Sequence, residues 1–119
     1  MIDEPYLADL ARQIGDDGAR ETVELCLEDC PLRADGIRAA VTTTDPIALR
    51  AETHALAGAA HAAGMMPLAE AARALEAKAA RGQVDAAAAA DVLTLLHASV
   101  SAARTWLGRV PQADPATLA

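Results

Sequence analysis

Apolar residues recur along this chain at spacings of three and four, the repeat of a helix with one buried stripe, in five successive segments. Asp3 as N-cap and Pro5 in the first turn open a short segment with Leu7, Leu10, Ala11 and Ile14 on one side. The stretch Gly15-Asp16-Asp17-Gly18 breaks it. Val23, Cys26, Leu27, Cys30, Ala34, Ile37 and Val41 then keep one phase across Pro31, which predicts a single long helix kinked at that proline. Thr42-Thr43-Thr44-Asp45-Pro46 is a turn ending in an N-cap and a helix-opening proline. The third segment runs from Asp45 to Ala63 with Leu49, Leu56, Ala60 and Ala63 inward, and stops at Gly64, a left-handed C-terminal residue. Pro67 opens the fourth, with Leu68, Ala72, Leu75 and Ala79 inward and an end near Gly82. Asp85 caps the fifth, whose stripe is Val92, Leu96, Ser99, Ala103, Trp106 and Val110, closed by Gly108 and Pro111. The alanine run from Ala86 to Ala90 is its N-terminus, and residues 111–119 read as a loose tail.

Amphipathic helices joined by a few residues pack as antiparallel neighbours. The expected fold is therefore all-α: an up-down-up-down four-helix bundle of the last four segments, with the short N-terminal helix laid over one end. Residues 1–110 form that bundle and 111–119 the tail. Composition sharpens the picture. Of 119 residues, one domain's length, 53% are hydrophobic, yet there is no Phe, one Tyr and one Trp. The core must be built from aliphatic residues and much alanine, whose small side chain lets helix axes approach closely. Cys26 and Cys30 lie four apart on the apolar stripe, a poor disulfide geometry with no further ligands nearby, and read as buried free thiols.

The formal charge of −7 argues against sequence-independent nucleic-acid binding, which needs a basic footprint, and against anionic membrane surfaces. It mildly favours a monomer. No uninterrupted apolar run approaches membrane-spanning length and the N-terminus lacks a secretory pattern, so a cytoplasmic location is expected. Met1 and the tail favour a free-standing chain.

One residue stands on what should be the wrong side of its helix. At about 100° per residue, His54 points away from the third segment's apolar stripe, in company with Ile47, Arg50, Ala51, Ala57, Gly58 and His61. An imidazole on a face nearly clear of large apolar groups is displayed to be touched by another molecule. Gly58 sits one turn later. Glycine inside a helix costs about 1 kcal/mol relative to alanine, so its use in an alanine-rich chain implies a demand for clearance beside the ring. His61 lies on the same face, either as a bystander or as an edge contact for a partner, and His97 reads as an ordinary surface or satisfied histidine. A spacing of seven between His54 and His61, with no third ligand nearby, argues against a metal.

His54-Ala55-Leu56-Ala57-Gly58, with Gly64, Leu68, Leu75 and Glu76 following, resembles the histidine-containing phosphotransfer (HPt) domain family. That family shows His-x-Leu-Lys-Gly, a second Gly ten residues after the His, and a helix ending in Leu-Glu. Leu25, Leu27, Glu28, Asp29 and Pro31 on the preceding long helix, then Asp45-Pro46 before the His helix, are similar too, and the likeness runs from about Leu7 to Leu107. The resemblance implies that His54 is phosphorylated and shuttles a phosphoryl group between aspartates of response-regulator receiver domains, in a pathway with a hybrid histidine kinase. It makes Glu76 the acceptor that orients the imidazole, although an ordinary solvated Glu is the alternative. The family's lysine three residues after the His is replaced by Ala57; Arg50 or Arg73 is expected to supply the missing charge, since a guanidinium fork binds phosphate oxygens well.

Chemistry supports the same role independently. Imidazole is largely neutral and nucleophilic near pH 7 and needs only orientation. No cofactor is expected on this chain: the receiver supplies aspartate and Mg²⁺, and the bundle, not itself an enzyme, supplies the nucleophile. Ile47, Ala51, Ala57, Gly58, Ala62 and Met65 are expected to form the smooth docking face, edged by His61. The absent lysine also admits a second reading, an adaptor bundle that docks receiver domains or other partners without phosphoryl chemistry.

Overall fold

The computed structural model describes residues 2–110. Four helices follow in order, α1 (Glu4–Thr42), α2 (Pro46–Ala62), α3 (Met66–Ala80) and α4 (Ala86–Arg109). Three begin as the sequence predicts. The side chain of Asp3 accepts from the Tyr6 N–H (3.0 Å), that of Asp45 from Ile47 and Ala48 (3.1 and 3.0 Å), and that of Asp85 from Ala88 (2.9 Å). Helix α3 has no side-chain cap and relies on Pro67 near its start. α1 packs against α2 and α4, and α3 against the same two, so the connections after α1, α2 and α3 close an antiparallel four-helix bundle. The predicted stripes meet in its centre: Val23, Cys26, Cys30 and Ile37 from α1, Leu49 and Leu56 from α2, Leu68 and Leu75 from α3, Val92, Leu96 and Trp106 from α4.

The N-terminal segment does cover one end of the bundle, but as an arm of α1. The predicted break is present and falls at Gly15 (φ 86°, ψ 162°), whose non-helical backbone kinks the short N-terminal helix away from the rest of α1. Two bonds fasten the arm to the α2–α3 turn: the Asp3 N–H to the Gly64 carbonyl (2.7 Å) and the Tyr6 hydroxyl to the Ala62 carbonyl (3.1 Å). Gly64 serves both the turn and the dock. Its φ is +75°, and a Cβ there would lie 3.0 Å from the Tyr6 ring and 3.4 Å from Leu7. Ile14 is not inward as its spacing suggested: beside Gly15 it is half exposed, and it lies over Gly18, where a Cβ would come within 2.9 Å of it. The backbone also stays helical through Pro31. The ring's φ suits a helix, and its neighbours Cys30 and Ala34 are buried on either side of it.

Cys26 and Cys30 are free and buried, with their sulfurs 3.9 Å apart. The contact with Cys30, together with burial, raises the pKa of Cys26 and keeps it a thiol. Helix α4 has the length and hydropathy of a membrane span. Here it is a bundle helix, burying Ala89, Val92, Leu96, Ser99, Ala103 and Trp106 against its neighbours. The tail assigned to residues 111–119 lies outside the described residues.

Candidate functional site

The Asp45 cap and Pro46 fix the start of α2, which carries His54 two turns in with its side chain 75% exposed. α3 packs alongside and brings Glu76, one residue past the buried Leu75, up to the ring: His54 Nδ1 and Glu76 Oε2 are 2.7 Å apart. Glu76 is itself only 20% exposed, so the carboxylate is held by its surroundings. An ionised carboxylate can only accept, so Nδ1 carries the proton and its N–H donates a hydrogen bond to Glu76. The neutral ring then keeps its lone pair on Nε2. A ring so held is oriented and faces solvent, an arrangement that can act as a nucleophile with a carboxylate behind it.

Ile47, Arg50, Ala51, His54 and Glu76 line a shallow depression around the imidazole. Ile47 is the most exposed large hydrophobic residue among those described, at 83%. Gly58 opens onto empty space, with nothing within 4 Å of where a Cβ would lie, so no internal contact demands glycine there. Ala62 and His61 are exposed on the same side, and the His61 ring is tilted against Tyr6 with centroids 6.3 Å apart.

Two members of the expected docking face are not on it. Ala57 is 1% exposed and Met65 is completely buried. Helix α2 packs against both α1 and α3, which widens its buried arc to reach Ala57, while Met65 turns inward from the α2–α3 connection to place its sulfur 3.9 Å from Cys26. Of the two candidate cations, Arg50 is exposed and lines the depression, whereas Arg73, exposed on α3, does not.

Two nearby features escaped the sequence reading. Thr53 is completely buried beside His54, and its hydroxyl donates back to the Leu49 carbonyl (2.7 Å). Arg33 bridges Asp29 (3.1 Å) on its own helix and Glu52 (3.2 Å) on α2, tying α2 to α1. Only the Asp29–Arg33 spacing of four hinted at this network.

Fold and site together define a helical bundle that holds one oriented imidazole out to solvent. Comparison with known families matches the Hpt domain over residues 21–106. The chain belongs to the Hpt domain family, the histidine phosphotransfer modules of two-component signalling. Among solved structures it is similar to the histidine-containing phosphotransfer protein B (HptB) from Pseudomonas aeruginosa PAO1, with a TM-score of 0.83 at 22% identity over 92% of this chain and 96% of that one. No curated protein matches the sequence significantly.

Proposed function

We propose that this protein is a phosphorelay carrier in which His54 accepts a phosphoryl group from the aspartyl phosphate of one receiver domain and passes it to the aspartate of another. The observation that carries this is the exposed ring whose Nδ1 is bonded to Glu76 at 2.7 Å, leaving Nε2 free. In the forward step the Nε2 lone pair forms the N–P bond as the P–O bond to the aspartate breaks, and the carboxylate departs with that electron pair. The ring keeps its Nδ1–H and gains positive charge, which the Glu76 carboxylate offsets. Return transfer reverses each bond change. Such transfers depend on in-line placement and charge balance, and the receiver contributes its aspartate and Mg²⁺.

The docking face in this reading is Ile47, Ala51, Gly58 and Ala62, edged by His61, around the depression. It suits a small, transient, partly apolar contact, with a hybrid histidine kinase's receiver as one partner. The chain works as a monomer in the cytoplasm, where those partners present their aspartates. Mixing the protein with a phosphorylated receiver domain and following the label tests this. Acid-labile, alkali-stable phosphate is expected on the wild type and on His61→Ala, and absent from His54→Ala. Label that survives in His54→Ala, or vanishes in His61→Ala, refutes the assignment. Binding without any label transfer establishes the adaptor instead.

A further inference from the structure

Resting on that reading, we infer that Arg50 binds the phosphoryl group while it resides on His54, and that Arg73 takes no part. The phosphoryl group on Nε2 would carry close to two negative charges in a chain already at −7, while the positive charge on the ring is already balanced by the Glu76 carboxylate 2.7 Å from its other nitrogen. Glu76 serves the ring and not the phosphoryl oxygens, whose charge still calls for a cation. Position 57, three residues after the histidine, supplies none: Ala57 is packed into the bundle.

Arg50 is the one guanidinium on the wall of the depression that holds His54 and Glu76. It precedes His54 by four residues, one helical turn or about 6 Å along the axis, within reach of an arginine side chain. Among the described residues Arg50 forms no ion pair, whereas Arg33 is held by Asp29 and Glu52, and Arg20 by Glu24. Its planar fork is therefore free to take two phosphoryl oxygens at once. Arg73 lies one turn back from Glu76 on α3, outside the lining of the depression.

The test measures how phosphate partitions at equilibrium between a receiver domain and the full chain. The proteins compared are the wild type, Arg50→Ala, Arg50→Lys and Arg73→Ala, with helicity and melting temperature as controls. Arg50→Ala is expected to lower the phosphorylated fraction constant about tenfold (~1.4 kcal/mol), Arg50→Lys to restore part of it, and Arg73→Ala to leave it unchanged. The Arg50→Ala deficit shrinks as salt is raised, because the contact is exposed. A slower approach to an unchanged partition would make Arg50 a docking residue and overturn the inference, as would a deficit in Arg73→Ala matching that of Arg50→Ala. A labelled wild type with an equally labelled Arg50→Ala sinks only this inference. A wild type that takes no label sinks the carrier reading and this inference with it.

Discussion

A carboxylate 2.7 Å from an imidazole does two separable things at His54. It fixes which nitrogen is free, and it offsets charge that develops on the ring. A glutamine at position 76 can still accept the Nδ1–H through its amide oxygen but brings no charge, while an alanine removes both. Glu76→Gln is therefore expected to retain most of the transfer rate. Glu76→Ala should lose about tenfold, the ~1.4 kcal/mol expected for a partly exposed charge-assisted hydrogen bond. Single-turnover transfer from a phosphorylated receiver separates the two, and equal losses in both variants would show that charge, not orientation, dominates. Gly58 gives the opposite combination of effects. With open space above it and a helix on either side, Gly58→Leu should leave the bundle as stable as before or more so, by up to ~1 kcal/mol from helix propensity. The same side chain, one turn from His54, stands in the partner's path, and transfer is expected to fall well over tenfold as the melting temperature holds or rises. Undiminished transfer would remove the clearance argument.

At the scale of elements, two left-handed glycines end helices in different surroundings. Gly82 (φ +81°) has nothing within 4 Å of a Cβ, whereas the corresponding Cβ at Gly64 meets the Tyr6 ring and the α1 arm. Gly82→Ala should cost only backbone strain, about 1 kcal/mol. Gly64→Ala should cost more, about 2–3 kcal/mol, because the arm must also shift. Urea unfolding of the two variants side by side measures the difference, and equal losses would mean the arm is loosely held.

Both glycines were legible in the sequence as helix ends, as were the caps Asp3, Asp45 and Asp85, because turn chemistry is local and strongly dictated by residue type. So was the face bearing His54, since Leu49 and Leu56 mark the opposite side. The edge of that face was not legible. In a helix built of Ala and Gly, an inward Ala57 and an outward Ala62 look alike, and only the position of α3 decides between them. Met65 was misread for a related reason: it lies in a turn, where helical phase gives no direction. The Arg33–Glu52 tie joins residues on two helices, and spacing within one segment cannot reveal it.

The whole molecule separates its stability from its chemistry. The site lies on α2 and α3, while α4 meets α1 and α3 but contributes nothing to the lining around His54. The side of the bundle where α1 meets α4 holds the one tryptophan, buried Trp106, near the point where Arg20 Nη1 donates to the Leu107 carbonyl (2.7 Å). In a chain without phenylalanine this is the largest apolar side chain available to the core. Trp106→Ala is therefore expected to cost about 3–5 kcal/mol, a large share of the roughly 5–15 kcal/mol typical of a domain. Circular dichroism during denaturation should show the midpoint falling sharply, and Trp106→Leu should lose less. Transfer by the Trp106→Leu protein, measured well below its melting temperature and scaled to the folded fraction, should stay within about twofold of wild type. That expectation follows from the lining of the depression, which comes from α2 and α3 alone. A loss much larger than twofold per folded molecule would show that packing on the α1–α4 side reaches the imidazole through the core, and that the site depends on the whole bundle rather than on one pair of its helices.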